Sequence, residues 1–205
     1  FGTQCLGSYL NEKASLSLLD QVYDFGIKKF DCAERYPFPE KNETFGLTEK
    51  IIGDWQKKNK VRKSILIDTK VTGRNFGEIK SVGGNRLIPK RIISAAEKSL
   101  KRLKTDYIDT FYIHWPDRFT NNFDRLYYSP GNDPKFIPLE VQFDAILKLK
   151  KSGKIRNFGI SNESAWGLSK FQNLSRKNKI KLYSQEEYSL INRKVEIAMK
   201  EIFLR

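Results

Sequence analysis

The chain has 205 residues, of which 39% are hydrophobic and 30% are charged, and its formal net charge at pH 7 is +14. A chain of this length can bury the core of one globular domain, and this composition is not that of a disordered protein. No apolar run approaches the ~18 residues that a membrane span needs, and no signal-peptide core is present. We therefore expect a cytoplasmic protein without a membrane partner.

The cysteines and the positive charge both bear on possible partners. Cys5 and Cys32 are too few for a disulfide scaffold and too scattered for a zinc site, so we predict reduced thiols and no metal. The lysines are spread over almost every predicted helix, without the signature of a known nucleic-acid-binding module. We interpret the charge as a solvated surface with no specific nucleic-acid partner. Binding of nucleic acid through this surface is an alternative, and salt would weaken it steeply.

Six short apolar runs have the length and composition of buried strands. They span residues 2–7, 27–32, 64–71, 107–113, 155–160 and 180–185. Apolar residues at helical spacing occupy the stretches between these runs. Strands that alternate with helices in this way predict a parallel sheet wrapped by helices, here with six visible β/α units.

The predicted helices carry clear boundary signals. The first includes Phe25 on its apolar face and ends at Gly26, a residue suited to the left-handed conformation that closes many helices. Pro89 stands where the first turn of the third helix tolerates proline. A long loop, roughly residues 117–137, precedes the fourth helix, and a last helix covers residues 195–202.

Polar side chains stand at or near the ends of five predicted strands. They are Asp31, Lys70, His114 (the only histidine in the chain), Ser161 with Asn162, and Gln185. In a parallel barrel these ends open on one mouth, which is where active sites lie. Tyr36 follows Asp31 by five residues, so its loop can bring the phenol to the same mouth.

Several segments resemble the signatures of the aldo-keto reductase superfamily. They are residues 31–36 (Asp-Cys-Ala-Glu-Arg-Tyr), 69–71 (Thr-Lys-Val), 99–109, 113–116 (Ile-His-Trp-Pro) and 153–162. The loop at residues 36–49, together with residues 188–193, is similar to the Tas-like bacterial branch in particular. The resemblance extends over nearly the whole chain, and the segments are specific as a set.

This resemblance implies a TIM-type (β/α)8 barrel that acts as an NADP(H)-dependent carbonyl reductase or alcohol dehydrogenase on small aldehydes or ketones. The catalytic positions of the family match Asp31, Tyr36, Lys70 and His114. A free phenol titrates at about pH 10, so Tyr36 is a poor acid at neutral pH unless its phenolate is stabilised. We expect the Lys70 ammonium to lower the pKa of Tyr36 while Asp31 holds that ammonium. His114 would orient the carbonyl oxygen.

Less specific interpretations remain open for these residues. Asp31 and Lys70 also fit a structural buried ion pair, and Tyr36 fits an ordinary loop aromatic. At the level of the whole protein, the alternative is a regulatory or binding subunit on the same scaffold. The potassium-channel β subunits, which resemble this family, are of that kind.

The resemblance assigns the cofactor to the ends of the last two strands. Ser161, Asn162 and Gln185 would bind the nicotinamide carboxamide, which needs both a donor and an acceptor. Taken alone, Ser161 and Asn162 equally fit a helix N-cap.

The residues after His114 are less specific. Trp115 either lines the substrate pocket or packs in the interior. Asp117 and Arg118 are predicted to form an ion pair within their loop.

The seventh and eighth units of the family barrel have no counterpart in the sequence. We expect residues 1–205 to form a single barrel domain that is truncated at the C-terminus. A barrel of six strands would leave a gap between its first and sixth strands.

Overall fold

Five parallel strands form the sheet, and they are hydrogen-bonded in the order in which they occur along the chain. The computed structural model describes residues 1–75, 84–121, 128 and 136–204. The strands are β1 (Lys29–Asp31), β2 (Leu66–Val71), β3 (Ile108–Ile113), β4 (Ile155–Ser161) and β5 (Leu182–Gln185). Each strand follows a helix or turn that returns the chain to the same end of the sheet, as the predicted β/α alternation requires.

The helices lie where the apolar spacing predicts them, with one exception. They are α1 (Glu12–Asp24), α2 (Leu47–Asn59), α3 (Pro89–Leu103), α4 (Leu139–Lys151), α5 (Ala165–Lys177), α6 (Lys194–Ala198) and α7 (Lys200–Leu204). The predicted last helix at residues 195–202 is therefore wrong as one element: Met199, with φ −122°, interrupts it. None of the described helices is long and apolar enough to cross a bilayer.

Local chemistry explains where several helices begin and end. The Asn11 side chain accepts a hydrogen bond from the backbone N–H of Ala14 and caps α1. Ser164 caps α5 in the same way. Pro89 occupies the first turn of α3, as predicted. Phe25 ends α1 and is 86% exposed, so its predicted place on the buried face is wrong.

The helix-facing side of the sheet is apolar. Phe30 of β1 lies 5.2 Å from the Trp55 ring of α2. Phe158 of β4 lies 5.8 Å from Phe143 of α4 and 5.6 Å from Phe171 of α5. All five rings are almost fully buried. Burial of each such side chain is worth about 1.5–3 kcal/mol, so these contacts hold the helices against the sheet.

The opposite side of the sheet is polar. Lys70, Tyr112, Gly159 and Tyr183 lie side by side in register across β2 to β5. A β-carbon on Gly159 would lie 2.2 Å from a ring carbon of Tyr112, so the glycine leaves room for this ring. The interior of a closed (β/α)8 barrel is a packed core dominated by branched apolar residues. In this chain the corresponding face carries charges and hydroxyl groups.

The predicted first strand at residues 2–7 is wrong as a regular element. Only Gly2 bridges to Asp31, whose backbone N–H donates to the carbonyl of Phe1 and whose carbonyl accepts from the N–H of Thr3. After Thr3 the chain turns: the backbone N–H of Gly7, at φ +92°, donates to the carbonyl of Leu10. The turn leaves too few residues beside β1 for a ladder.

The sheet is open, which confirms the predicted gap. β5 is paired with β4 on one side, and residues 1–3 flank β1 at the far edge. Within the described residues no ladder joins these two edges. The architecture is a parallel β/α half-barrel, that is, an incomplete TIM barrel. Most of the predicted loop at residues 117–137 lies outside the described residues.

The close packing of α2 on α3 gives a prediction. A β-carbon on Gly53 would lie 2.2 Å from the carbonyl oxygen of Arg102, which is backbone and cannot rotate away. Gly53→Ala should therefore destabilise the fold by about 1–3 kcal/mol, although alanine is the better helix former by about 1 kcal/mol. Urea unfolding would measure the change. Lys57→Ala, at an exposed position of the same helix, is the control, and equal stability of both variants would contradict the packing argument.

Candidate active site

The polar strand ends meet at the carboxyl edge of the sheet. Asp31 ends β1, Lys70 is the penultimate residue of β2, and His114 directly follows β3. Ser161 ends β4 and lies opposite Gln185, which ends β5. The parallel register brings all five to the same edge, as the sequence predicts.

Lys70 and Asp31 form a tight ion pair. The Lys70 Nζ donates to Oδ1 and Oδ2 of Asp31 at 2.7 and 2.8 Å, and to the backbone carbonyl of Cys32 at 2.9 Å. These contacts use all three hydrogens of the ammonium. The Lys70 side chain is 2% exposed. Its charge is thus both buried and offset by a carboxylate.

The rings of Tyr36 and His114 meet edge to face. Their ring centroids are 5.7 Å apart at an interplanar angle of 77°. The Lys70 Nζ lies 5.3 Å from the centroid of the Tyr36 ring. The structure therefore brings the four predicted catalytic residues into one cluster, with the phenol, the ammonium and the imidazole near one another.

The electrostatic surroundings of Tyr36 differ from the expectation. Burial, followed by the nearby Asp31 carboxylate, raises the pKa of the Tyr36 phenol above its ordinary value, and Arg35 opposes this rise. The expected net lowering of this pKa below the ordinary value of a phenol is therefore wrong for the structure described. The main reason is the burial of the phenol, to which the Asp31 carboxylate adds. At neutral pH Tyr36 is a fully protonated phenol.

His114 is a neutral imidazole. Its burial, followed by the positive charges of Lys70 and Arg35, lowers its pKa well below the ordinary value. Its backbone N–H donates to the carbonyl of Val71 at 2.9 Å, which fixes the residue to the end of β2. Its Nδ1 atom is buried without a hydrogen-bond partner among the described residues. The ring is thus held in place, and its buried Nδ1 is left without a hydrogen-bond partner among the described residues.

The three predicted cofactor residues form a connected group. The Asn162 Nδ2 donates to the backbone carbonyl of His114 at 2.9 Å and to the Ser161 Oγ at 3.1 Å. The Asn162 backbone, at φ +51°, donates its N–H to the carbonyl of Gln185 at 3.2 Å. The alternative N-cap role of Ser161 and Asn162 is not observed, because Ser164 caps α5.

Trp115 borders the same mouth and is half-buried. Its ring centroid lies 4.8 Å from that of His114, and its Nε1 donates to the backbone carbonyl of Arg74 at 2.8 Å. A β-carbon on Gly73 would lie 2.0 Å from the Trp115 carbonyl oxygen, so the glycine permits this approach. Trp115 therefore contacts a predicted catalytic residue and is not part of the apolar core.

Sequence reasoning did not find two ion pairs beside the site, one of them buried. The Glu34 Oε1 accepts from the backbone N–H of Thr72 at 2.6 Å and from the Arg91 guanidinium, which ties α3 to the ends of β1 and β2. Arg35 forms an ion pair with Glu40. Glu34 and Arg35 lie within the signature segment at residues 31–36. The partner of Glu34 is distant in sequence, and the spacing between Arg35 and Glu40 does not by itself predict a contact.

The predicted ion pair between Asp117 and Arg118 is wrong. Asp117 binds the Arg86 guanidinium at 2.8 Å and also accepts from the backbone N–H groups of Leu87 and Ile137 at 2.9 Å. Arg118 instead pairs with Glu163. A buried carboxylate gains more from several converging donors than from one adjacent side chain.

No group of three potential metal ligands lies together in the ranges described here. Neither cysteine forms a disulfide: Cys5 is exposed, and Cys32 is buried. Burial raises the pKa of the Cys32 thiol.

Comparison with known proteins identifies similar chains. A sequence model described as the Aldo/keto reductase family matches residues 1–203. Protein tas of Escherichia coli (strain K12) is 36% identical over 204 residues, which cover 98% of this chain and 59% of that protein, and Protein tas of Shigella flexneri matches equally. The aldo-keto reductase YhdN of Bacillus subtilis (strain 168) is 29% identical over 95% of this chain and 51% of its own length.

A solved structure shares the fold. It is the crystal structure of a thermostable aldo-keto reductase, Tm1743, in complex with the inhibitor epalrestat. The TM-score is 0.72 at 25% sequence identity, over 99% of this chain and 62% of that one. The chain thus spans about three fifths of the length of the Tas proteins and of this solved structure.

The burial of His114 gives a prediction that needs no assay of activity. Because the chain has one histidine, a single imidazole Cε1–H resonance reports on it. Since its pKa is lowered in the folded protein, this resonance should titrate well below the ordinary histidine range, whereas in urea it should titrate near pH ~6.5.

The same lowered pKa has a consequence for stability. The contribution of neutral His114 to the free energy of unfolding is fully present above the unfolded-state pKa. It is lost as the pH falls below that value, because the unfolded chain then binds a proton that the folded chain does not bind. His114→Gln should therefore weaken the loss of stability below pH ~6.5. A folded-state midpoint near the ordinary histidine value would contradict the buried, neutral assignment.

Proposed function

The chain belongs to the aldo-keto reductase family, and from this membership we propose that it reduces aldehyde or ketone carbonyls to alcohols with NADP(H). The family consists of oxidoreductases that generally use a nicotinamide cofactor. The observation that carries the proposal is the cluster of Tyr36, Lys70 and His114 around one point at the mouth of the half-barrel. The intact cluster favours an enzyme over a regulatory subunit on the same scaffold.

The residues at the ends of β4 and β5 fit a nicotinamide carboxamide. Gln185 Oε1 is buried and has no hydrogen-bond partner among the described residues, so it suits the amide N–H2 of such a ligand. The Ser161 oxygen accepts from Asn162, which leaves its own hydrogen to donate to a carbonyl oxygen. A donor and an acceptor are therefore close together, as the carboxamide requires.

A bound reduced nicotinamide supplies a hydride to the carbonyl carbon. Tyr36, a protonated phenol at neutral pH, would then give its proton to the carbonyl oxygen and become a phenolate. His114, which is neutral, can donate one N–H to the same oxygen and fix its orientation. The ion pair of Lys70 and Asp31, whose Nζ lies 5.3 Å from the centroid of the Tyr36 ring, would be the charged neighbour of the phenolate as it forms.

Tyr36→Phe tests the assignment of the proton donor. It should lower the turnover of carbonyl reduction by at least ~100-fold, the usual scale for a lost general acid, and should leave NADPH binding nearly unchanged. Activity is measured as NADPH oxidation by the full-length protein against a panel of small aldehydes, and binding by the quenching of tryptophan fluorescence. Tyr112→Phe, which removes a neighbouring interior phenol, is the control and should stay within about tenfold of the parent. Near-parental reduction by Tyr36→Phe would overturn the assignment.

The open sheet gives a second test. β5 has β4 as its one ladder partner in the described sheet, and Leu190 and Ile191 beyond it are 97% and 98% exposed. Unpaired edges and exposed apolar groups favour association between chains. We expect residues 1–205 alone to bind NADPH weakly and to aggregate, and a chain with two further β/α units to bind it tightly. A monomeric 205-residue chain with tight NADPH binding would contradict this expectation.

A further inference from the structure

We propose that the buried ion pair between Arg118 and Glu163 positions the residues that hold the nicotinamide, which makes both of its members positioning residues for the cofactor. The proposal rests on the function proposed above, in which Ser161 and Asn162 bind the carboxamide. Sequence reasoning gave Glu163 no role and paired Arg118 with Asp117. Neither member of the pair is among the residues that the resemblance assigns to the cofactor.

The turn that joins β4 to α5 begins at Asn162 in an uncommon backbone conformation. Its φ of +51° lies in the left-handed region, which asparagine tolerates better than most residues but which persists only where the surroundings fix it. Its backbone N–H donates to the carbonyl of Gln185 at 3.2 Å, and its side-chain amide donates to the carbonyl of His114 at 2.9 Å. The start of the turn is therefore held from both neighbouring strands.

The carboxylate of Glu163 holds the next part of the turn. Its Oε2 accepts from Nη1 of Arg118 at 3.2 Å, and its Oε1 accepts from Nη2 of the same guanidinium. The Oε1 also accepts from the backbone N–H of Ser164 at 2.6 Å. The Arg118 Nη2 donates in addition to the Ser164 Oγ at 3.0 Å, and this is the hydroxyl that caps α5. The pair is thus bidentate and is joined to the start of the helix.

The pair is almost fully withdrawn from water. The side chains of Arg118 and Glu163 are 8% and 2% exposed, and the Arg118 guanidinium carbon lies 4.7 Å from the centroid of the Trp166 ring. A β-carbon on Gly167 would lie 2.3 Å from the Glu163 Oε1 and 2.4 Å from the Arg118 Nη2, so the glycine leaves room for the pair. Removal of one partner from a buried pair is costly, because the other charge is left uncompensated.

Two side-chain contacts therefore tie the segment after β3 to the turn after β4. Asn162 binds the carbonyl of His114, and four residues further along, Arg118 binds Glu163. The first segment carries the imidazole of the proposed catalytic cluster, and the turn carries the proposed ligands of the carboxamide. The ladder between β3 and β4 does not extend to these residues. The position of the carboxamide ligands relative to the imidazole thus depends on these two contacts.

A purely structural role is the competing explanation. If the pair only stabilises the fold, its loss should weaken all parts of cofactor binding alike, or none of them. If it positions the carboxamide ligands, its loss should weaken only those ligands that contain the nicotinamide. A molecule that is NADPH without its nicotinamide ring, 2′-phospho-ADP-ribose, separates the two explanations.

The experiment measures the binding of NADPH and of 2′-phospho-ADP-ribose to the full-length protein by isothermal titration calorimetry. Arg118→Met should weaken NADPH binding by about three- to tenfold, the scale of about one lost hydrogen bond, and should leave the binding of 2′-phospho-ADP-ribose unchanged. Glu163→Gln should act in the same direction. Arg118→Lys keeps the charge but not the bidentate geometry, so it should recover only part of the loss.

Gly167→Ala displaces the pair without removing a charge. Alanine is the better helix former, so a role confined to the stability of α5 predicts an unchanged or higher melting temperature and unchanged NADPH binding. Our proposal predicts weaker binding of NADPH and unchanged binding of 2′-phospho-ADP-ribose, because the added methyl group would push Arg118 and Glu163 apart.

Controls keep the outcomes separate. Arg102→Met breaks the ion pair with the buried Glu49 between α2 and α3, so it should lower the melting temperature and leave the binding of both ligands unchanged. If Arg118→Met does not fold, Arg118→Lys and Gly167→Ala still decide. Equal weakening of both ligands in these variants, or unchanged NADPH binding, would overturn the inference. Failure of the parent protein to bind NADPH would instead overturn the proposed function.

Discussion

The ammonium group of Lys70 is the point on which the mouth of the half-barrel depends. It is buried, and it binds the carboxylate of Asp31 and the backbone carbonyl of Cys32, so it joins β2 to the end of β1. A buried charge is tolerated only when it is paired and fully hydrogen-bonded, and here all three hydrogens have acceptors. The loop that carries Arg35 and Tyr36 begins directly after this contact, which therefore fixes where that loop starts.

The sheet makes this arrangement possible because its two sides have different chemistry. Phe30 and Phe158 pack against helices and supply the apolar burial that holds the layers together. On the other side Lys29 pairs with Asp68 at 2.9 Å, below the pair formed by Lys70 and Asp31. Since neighbouring residues of a strand face opposite sides, one register places the core on the helices and the charges at the mouth.

The charged residues at the mouth affect the pKa of Tyr36 in different directions. The sequence predicts that Lys70 activates Tyr36, because a nearby ammonium would lower the pKa of the phenol. In the structure the Lys70 charge is offset by Asp31, and burial raises the pKa of the phenol. The guanidinium of Arg35, which stacks on Trp115 and pairs with Glu40, opposes this rise.

The sequence by itself determined the alternation of strands and helices, the polar residues at the strand ends and their convergence on one edge. These follow from local periodicity and from the parallel direction of successive strands, which the chain order imposes. Only the tertiary structure decided that residues 2–7 form a bridge and a turn, that Asp117 pairs with Arg86 and not with Arg118, and that Tyr36 is a weaker acid than a free phenol. Ion pairs and pKa values depend on distances and burial between segments far apart in the chain, and no local pattern encodes those quantities.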